Sequence, residues 1–249
     1  MRTAIRAVVA LLSCFAALAF AQDYEREKRW ADEVVPGLVV GDAVWIDAAS
    51  GRKFLGLYAP VKDAKAMVVI VHGLGVHPDH GVIGVLRSKL SDLGYTTLSI
   101  QMPVLAADAK ADDYPKLFPD AIDRIGRAGA WLRERNRDTK LVLVTHSMGS
   151  WMANAYLEAK APTPYQAWVC LGRSGAFTGG VRAIVQPTLD VYADADLPAV
   201  IAAAGSRREA LSAAPGSRQL VITGTDHFYA RKEDELARTI DRWLAATRS

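Results

Sequence analysis

Val142-Leu143-Val144-Thr145-His146-Ser147-Met148-Gly149-Ser150 opens as an apolar run and closes in small residues. A run of this kind suits a strand buried on both faces of a parallel sheet. The residues Met148–Ala159 that follow have helical character, so the chain passes from strand to helix at Ser147 with no loop between them. That junction is the setting a nucleophile elbow needs. A sharp turn lifts the serine hydroxyl above the sheet edge, and the first N–H groups of the new helix face the same point. Gly149 lets the helix pass close to neighbouring strands, and Ala153, one turn on, is small as well. Thr145 stands where the G-x-S-x-G pattern has its first glycine. The alternative role for Ser147 is a helix N-cap, a common place for serine.

Working outward, a second β-branched run, Ala66–Val71, leads into His72-Gly73-Leu74-Gly75. A glycine at a strand exit lets the backbone bend so that the next N–H faces a pocket. The N–H groups of Leu74 and Met148 are therefore the expected pair of oxyanion donors. Near the far end of the chain, Thr223-Gly224-Thr225-Asp226-His227-Phe228-Tyr229 follows the last expected strand. A serine hydroxyl is a poor nucleophile until a base takes its proton, and histidine is the usual base. Of the five histidines, His72, His77, His80, His146 and His227, only His227 follows Ser147. An order of Ser, acid, His thus has one base available.

Between these motifs the chain alternates. Strand patterns cover Gly41–Asp47, Lys53–Tyr58, Ala66–Val71, Thr96–Gln101, Leu141–Val144, Ala167–Leu171, Thr188–Tyr192 and Gln219–Ile222. Helical spacing covers Val82–Leu93, Pro119–Arg135, Met148–Ala159, Ala199–Leu211 and Glu233–Ala246. The first two strands flank the turn signal Ala49-Ser50-Gly51 and read as an antiparallel hairpin. Alternation after that argues for an α/β fold, a mostly parallel doubly wound sheet with helices on both faces. No repeat or low-complexity linker divides the chain, so residues 38–249 are expected to form one domain behind a charged lead-in, 22–37. The irregular stretch Met102–Phe118 is expected to shape the site, together with the residues around Phe177.

Residues 1–21 read as a secretory signal peptide. Arg2 and Arg6 precede the apolar Ala7–Leu18, and Ala19-Phe20-Ala21 fits an A-x-A cleavage site. The expected location is the periplasm or the outside of the cell, with no integral membrane span after cleavage. Cys170 then remains as a lone cysteine in an apolar strand, where core filling is its ordinary role. The 249 residues are 51% hydrophobic and 23% charged, which excludes disorder and coiled coil for the bulk of the chain. The net charge of +3 comes from interspersed basic and acidic residues and leaves no nucleic-acid footprint.

Taken together, the V-H-G-x-G strand exit, the T-H-S-M-G elbow, the strand-then-acid segment and G-x-D-H-F resemble the α/β-hydrolase superfamily, in its order, from about Leu38 to the C-terminus. His72–Pro103 also resembles an exported bacterial subset of unknown function. The resemblance implies little or no cap domain, since Leu171 and Thr188 stand close together in sequence. It implies a Ser-acid-His triad without a cofactor. The acid has to lie between Ser147 and His227, and Ala167–Val185 contains no Asp or Glu. Asp190 falls inside a strand, while Asp194 and Asp196 are expected in the loop beyond it. The family pattern places the acid three residues after a small strand-ending residue, here Ala193. That selects Asp196, with Asp194 next.

Two other patterns are weaker. Gly172-Arg173-Ser174-Gly175-Ala176 mimics a serine motif but precedes no helix. His72, His77 and His80 are spread over a loop with only Asp79 near, so no metal site is expected. Gly73-x-Gly75 lacks the third glycine of a dinucleotide fingerprint, because Pro78 stands there. The expected function is a serine hydrolase of esterase type acting on a small-molecule or polymer-end ester or amide. A non-catalytic binding or scaffold protein on the same fold is the alternative, and a serine peptidase would use the same residues.

Overall fold

The computed structural model describes residues 22–179 and 185–247. The expected signal peptide, residues 1–21, lies outside them. Eight strands form one sheet: β1 Asp42–Asp47, β2 Lys53–Ala59, β3 Met67–Val71, β4 Thr96–Ile100, β5 Leu141–His146, β6 Ala167–Leu171, β7 Thr188–Ala195 and β8 Arg218–Asp226. Their spatial order is β1-β2-β4-β3-β5-β6-β7-β8. The β1–β2 and β2–β4 pairs are antiparallel, and every later pair is parallel. The helices are α1 Tyr24–Val34, α2 Gly81–Asp92, α3 Phe118–Arg135, α4 Met148–Ala159, α5 Pro198–Ala202, α6 Ala204–Leu211 and α7 Glu233–Ala246.

Successive strand residues point to opposite faces, and both faces are apolar in the centre of the sheet. Met67, Val69 and Val71 of β3 pack with Ile125 of α3 and Met152 of α4 on one side. Val68 and Ile70 of the same strand pack with Leu86 of α2 and Ile240 of α7 on the other. Every residue of β3, β4, β5 and β6 is buried, which explains why these strands read as unbroken apolar or β-branched runs. Cys170 is a free, buried thiol on β6, pushed up to about 12 by burial.

Three expectations are corrected, and one open alternative is decided: the charged lead-in, by its sequence a mobile segment or a short helix, is the helix α1. Asp23 caps it by accepting from the Arg26 N–H at 2.8 Å, and Ala31 packs on Leu55 and Leu57 of the hairpin. The helical segment before β8 is broken into α5 and α6, because the Arg207 side chain takes the Val200 carbonyl at 3.1 Å. Strand β7 runs on to Ala195, so Asp194 lies in the strand and not in the loop beyond it. Met102–Phe118 does not shape the site as expected, since none of its residues lines the pocket at Ser147. Met102, Val104 and Leu105 are buried, and Ala111–Leu117 winds as a 3-10 turn that buries Tyr114 and Leu117. Phe177 is likewise buried, against Trp168 at 5.3 Å between ring centroids.

Candidate active site

Ser147 has φ +54° and ψ −120°, a backbone conformation that non-glycine residues rarely hold. Its neighbours enforce the turn. The Ser147 N–H donates to the Leu171 carbonyl of β6 at 2.9 Å. Gly149 passes so close to β3 that a Cβ there would sit 2.4 Å from the His72 carbonyl oxygen. Thr145 serves the turn from below. Its hydroxyl bonds with that of Ser150 at 2.9 Å and accepts from the Trp168 indole N–H at 3.0 Å, fully buried. The Ser147 side chain makes no capping hydrogen bond to α4. Its Oγ instead lies 3.0 Å from Nε2 of His227.

His227 follows β8 in a tight turn. The Tyr229 N–H donates back to the Asp226 carbonyl at 3.0 Å, and the buried Tyr229 hydroxyl donates to the Val191 carbonyl at 2.8 Å. Nδ1 of His227 lies 2.6 Å from Oδ1 of Asp196. The structure therefore brings Ser147, His227 and Asp196 into one chain of hydrogen bonds. Asp196 folds back onto the strand end. Its Oδ2 accepts from the Ala193 N–H at 3.1 Å and its Oδ1 from the Leu197 N–H at 2.8 Å. Burial works to raise its pKa, but the bonds from the imidazole and these N–H groups outweigh it and hold the carboxyl below its ordinary value.

The other carboxylates are engaged elsewhere. Asp194 accepts from the Gly224 N–H at 2.9 Å and the Thr225 N–H at 3.3 Å, which keep its carboxyl low and tie β7 to the end of β8. Asp190 is fully buried and pairs with Arg207 at 2.9 Å. Gly172, which the sequence marks only as part of a serine-motif mimic, packs against the His227 ring. It has φ +56°, and a Cβ there would lie 2.9 Å from Cε1 of His227. Its signal was a glycine directly after β6, at the sheet edge where Ser147 emerges.

Leu74 and Met148 flank the serine. A Cβ on Gly73 would lie 3.2 Å from that of Ser147, so the strand exit faces the hydroxyl. Among the described residues, no acceptor takes the N–H of Leu74 or of Met148. His72 fixes the bend. One ring nitrogen lies 2.9 Å from the Gly73 carbonyl oxygen, and the other accepts from the Met102 N–H at 2.9 Å. Burial pushes this ring down to about 3, so it is neutral and donates from Nδ1. His77 and His80 stack edge to face at 5.3 Å, and Asp79 pairs with Arg87. Among the described residues, no cluster of three or more His, Cys, Asp or Glu is arranged to hold a metal ion.

A cavity of about 280 Å³ opens above Ser147. Leu74, Val76, Val82, Ile83, Leu197 and Phe228 form its apolar walls, and among the described residues no acidic, lysine or arginine side chain lines it. His146 also faces it, held neutral because burial pushes its pKa down to about 4, with His227 adding to the effect. Among the described residues, no helix is long and apolar enough to cross a membrane.

A family of proteins of unknown function, DUF3530, matches residues 24–117. The match takes in α1 and the His72–Gly75 bend and ends before Ser147. No curated protein matches the chain. Among solved structures, Est1E from Butyrivibrio proteoclasticus is similar with a TM-score of 0.64, at 14% identity over 82% of this chain and 98% of that one. A dienelactone hydrolase from Anabaena variabilis has a TM-score of 0.64, at 21% identity over 82% and 96%. A serine hydrolase without lid from Xanthomonas campestris has a TM-score of 0.62, at 18% identity over 84% and 96%. With its strand order, its strand-to-helix turn at Ser147 and these likenesses, the chain has the α/β-hydrolase fold.

Proposed function

We propose that the protein is an exported serine hydrolase that cleaves small, uncharged esters. The observation that carries this reading is the Asp196–His227–Ser147 hydrogen-bond chain, at 2.6 and 3.0 Å, with the serine on a strained turn. His227 takes the proton from Ser147 as the hydroxyl attacks the ester carbonyl. Asp196 holds the Nδ1–H tautomer and stabilises the imidazolium that forms. The negative charge on the carbonyl oxygen is met by the N–H groups of Leu74 and Met148, in a setting where such donors are worth about 3–4 kcal/mol each. His227 returns the proton to the leaving alcohol, and water then resolves the acyl-enzyme by the same steps. The apolar walls and the small cavity favour an acyl or alcohol group of modest size without charge. Export rests on the signal-peptide pattern of residues 1–21.

The test is a panel of short esters, long-chain lipids and peptides offered to the mature protein, beside labelling with a fluorophosphonate probe. Hydrolysis of the short esters with probe on Ser147 is expected. A flat panel without labelling would favour a binding protein on the same fold.

A further inference from the structure

The bend that carries Leu74 is clamped on two sides. The peptide between Gly73 and Leu74 is planar, so fixing the Gly73 carbonyl also fixes the direction of the Leu74 N–H. His72 does this from within the sheet edge, 2.9 Å away. The next peptide but one is held from outside the sheet. Gly75, at φ +62°, turns the chain, and its carbonyl accepts from Nη2 of Arg26 at 2.9 Å. Nη1 of the same guanidinium donates to the Leu105 carbonyl at 2.8 Å. One planar fork thus joins the loop after β3 to the segment after β4.

Arg26 is itself held in place. Its guanidinium lies 4.6 Å from the Trp30 ring centroid, and Trp30 stands 5.7 Å from His77, which lies on the same loop as Gly75. Helix α1 is anchored beneath by a buried ion pair, Glu27 to Arg124 at 3.0 Å. Arg124 reaches on to the Gln101 carbonyl at 2.8 Å, and the Asp23 N–H donates to the Val104 carbonyl at 2.8 Å. Burying an ion pair earns little net stability against an apolar alternative. What this one does is fix where α1 sits. The space around Gly75 is filled as well, since a Cβ there would lie 3.3 Å from the Tyr114 hydroxyl and 3.6 Å from Nη2 of Arg26.

We propose that Arg26 is a positioning residue, through which the N-terminal helix holds the Gly73–Gly75 bend in the shape that aims the Leu74 N–H at the developing oxyanion. This rests on the reading of Ser147 as nucleophile and adds to His72 a second support for the bend. A donor aimed at the transition state acts on kcat more than on substrate binding. A lysine in place of Arg26 keeps the charge, but as a point donor it does not hold both carbonyls.

The experiment compares wild type, Arg26→Met, Arg26→Lys and Ser147→Ala on a short p-nitrophenyl ester. It reads kcat, KM, the thermal midpoint and the affinity for a boronic acid, whose tetrahedral serine adduct places an oxygen where the oxyanion forms. Arg26→Met is expected to lower kcat about ten- to a hundredfold, with KM within about twofold and boronate affinity weakened in parallel. Arg26→Lys is expected to recover part of the loss. Wild-type kcat in folded Arg26→Met, beside an inactive Ser147→Ala, would overturn the brace alone. Full activity in Ser147→Ala would overturn the nucleophile and the brace with it. If Arg26→Met does not fold, Arg26→Lys decides, and wild-type kcat and boronate affinity in that variant would overturn the fork.

Discussion

Nε2 of His146 lies 2.9 Å from the backbone carbonyl oxygen of His227, and the two rings stand 4.8 Å apart. The residue before the serine thus holds the loop that carries His227. Because His146 is neutral, Nε2 carries the proton and donates to that carbonyl. The Ser147 turn and the His227 loop are separate in sequence, and this buried bond joins them beside the one between His227 Nε2 and Ser147 Oγ. A charged ring at this place would sit against His227 in a low dielectric, which is why its neutrality matters to the site.

The neutrality of His146 and His72 makes stability depend on pH. An unfolded histidine takes its proton near pH 6.5, whereas these rings do so at about 4 and about 3 in the folded protein. Between those limits the unfolded chain binds more protons. Stability is therefore full above pH 6.5 and falls as the pH drops, by on the order of 3–5 kcal/mol for each ring at the acid end. Glu27 and Asp190, whose pKa values burial raises, work in the opposite direction and soften the fall. Urea unfolding at pH 7.5, 6.5, 5.5 and 4.5 is expected to show a steady loss below pH 6.5. Equal stability at pH 7.5 and 4.5 would contradict it.

Asp196 and Asp194 stand two residues apart and have different partners. Asp196→Asn is expected to cost on the order of 10⁴ in kcat, because the amide no longer favours the required imidazole tautomer. Asp194→Asn loosens the tie to Gly224 and Thr225 and leaves kcat within a few-fold. Steady-state kinetics of the two variants on one ester checks this. The reverse order would move the acid to Asp194.

Gly172 tests how closely the His227 ring is packed. Gly172→Ala puts a methyl 2.9 Å from the His227 ring at a φ of +56°. Something has to shift, and the ring that faces Ser147 is the nearest group. A fall in kcat of about a hundredfold is expected, the scale of a misplacement near 1 Å. Unchanged kcat in a folded variant would mean that the ring has room to spare.

Much of this was legible in residue order. The buried runs of β3, β5 and β6 announce themselves by β-branched and apolar residues without alternation, Gly149 stands where a helix must pass close to a strand, and His227 is the one histidine after Ser147. The candidate acids between Ser147 and His227 are few, since Ala167–Val185 has no carboxylate. What stayed hidden depends on distance in space. The length of β7 is set by pairing with β8 across a bulge at Ala193 and Ala195, which no local pattern encodes. The burial of Met102, Leu105, Tyr114 and Leu117 follows from the floor that α3 and the sheet offer them. Helix α1 looks like a solvated charged segment because Arg26 and Glu27 reveal their roles only beside Gly75 and Arg124. Gly172 reads as a plain loop glycine until His227 is folded against it.

The central claim is that the Ser147 hydroxyl is the nucleophile, and the most direct measurement is the turnover of a short ester by Ser147→Ala against wild type, with circular dichroism of both. A folded variant slower by roughly 10⁴–10⁶ in kcat is the expected result. A folded Ser147→Ala that keeps turnover within tenfold of wild type would contradict the account.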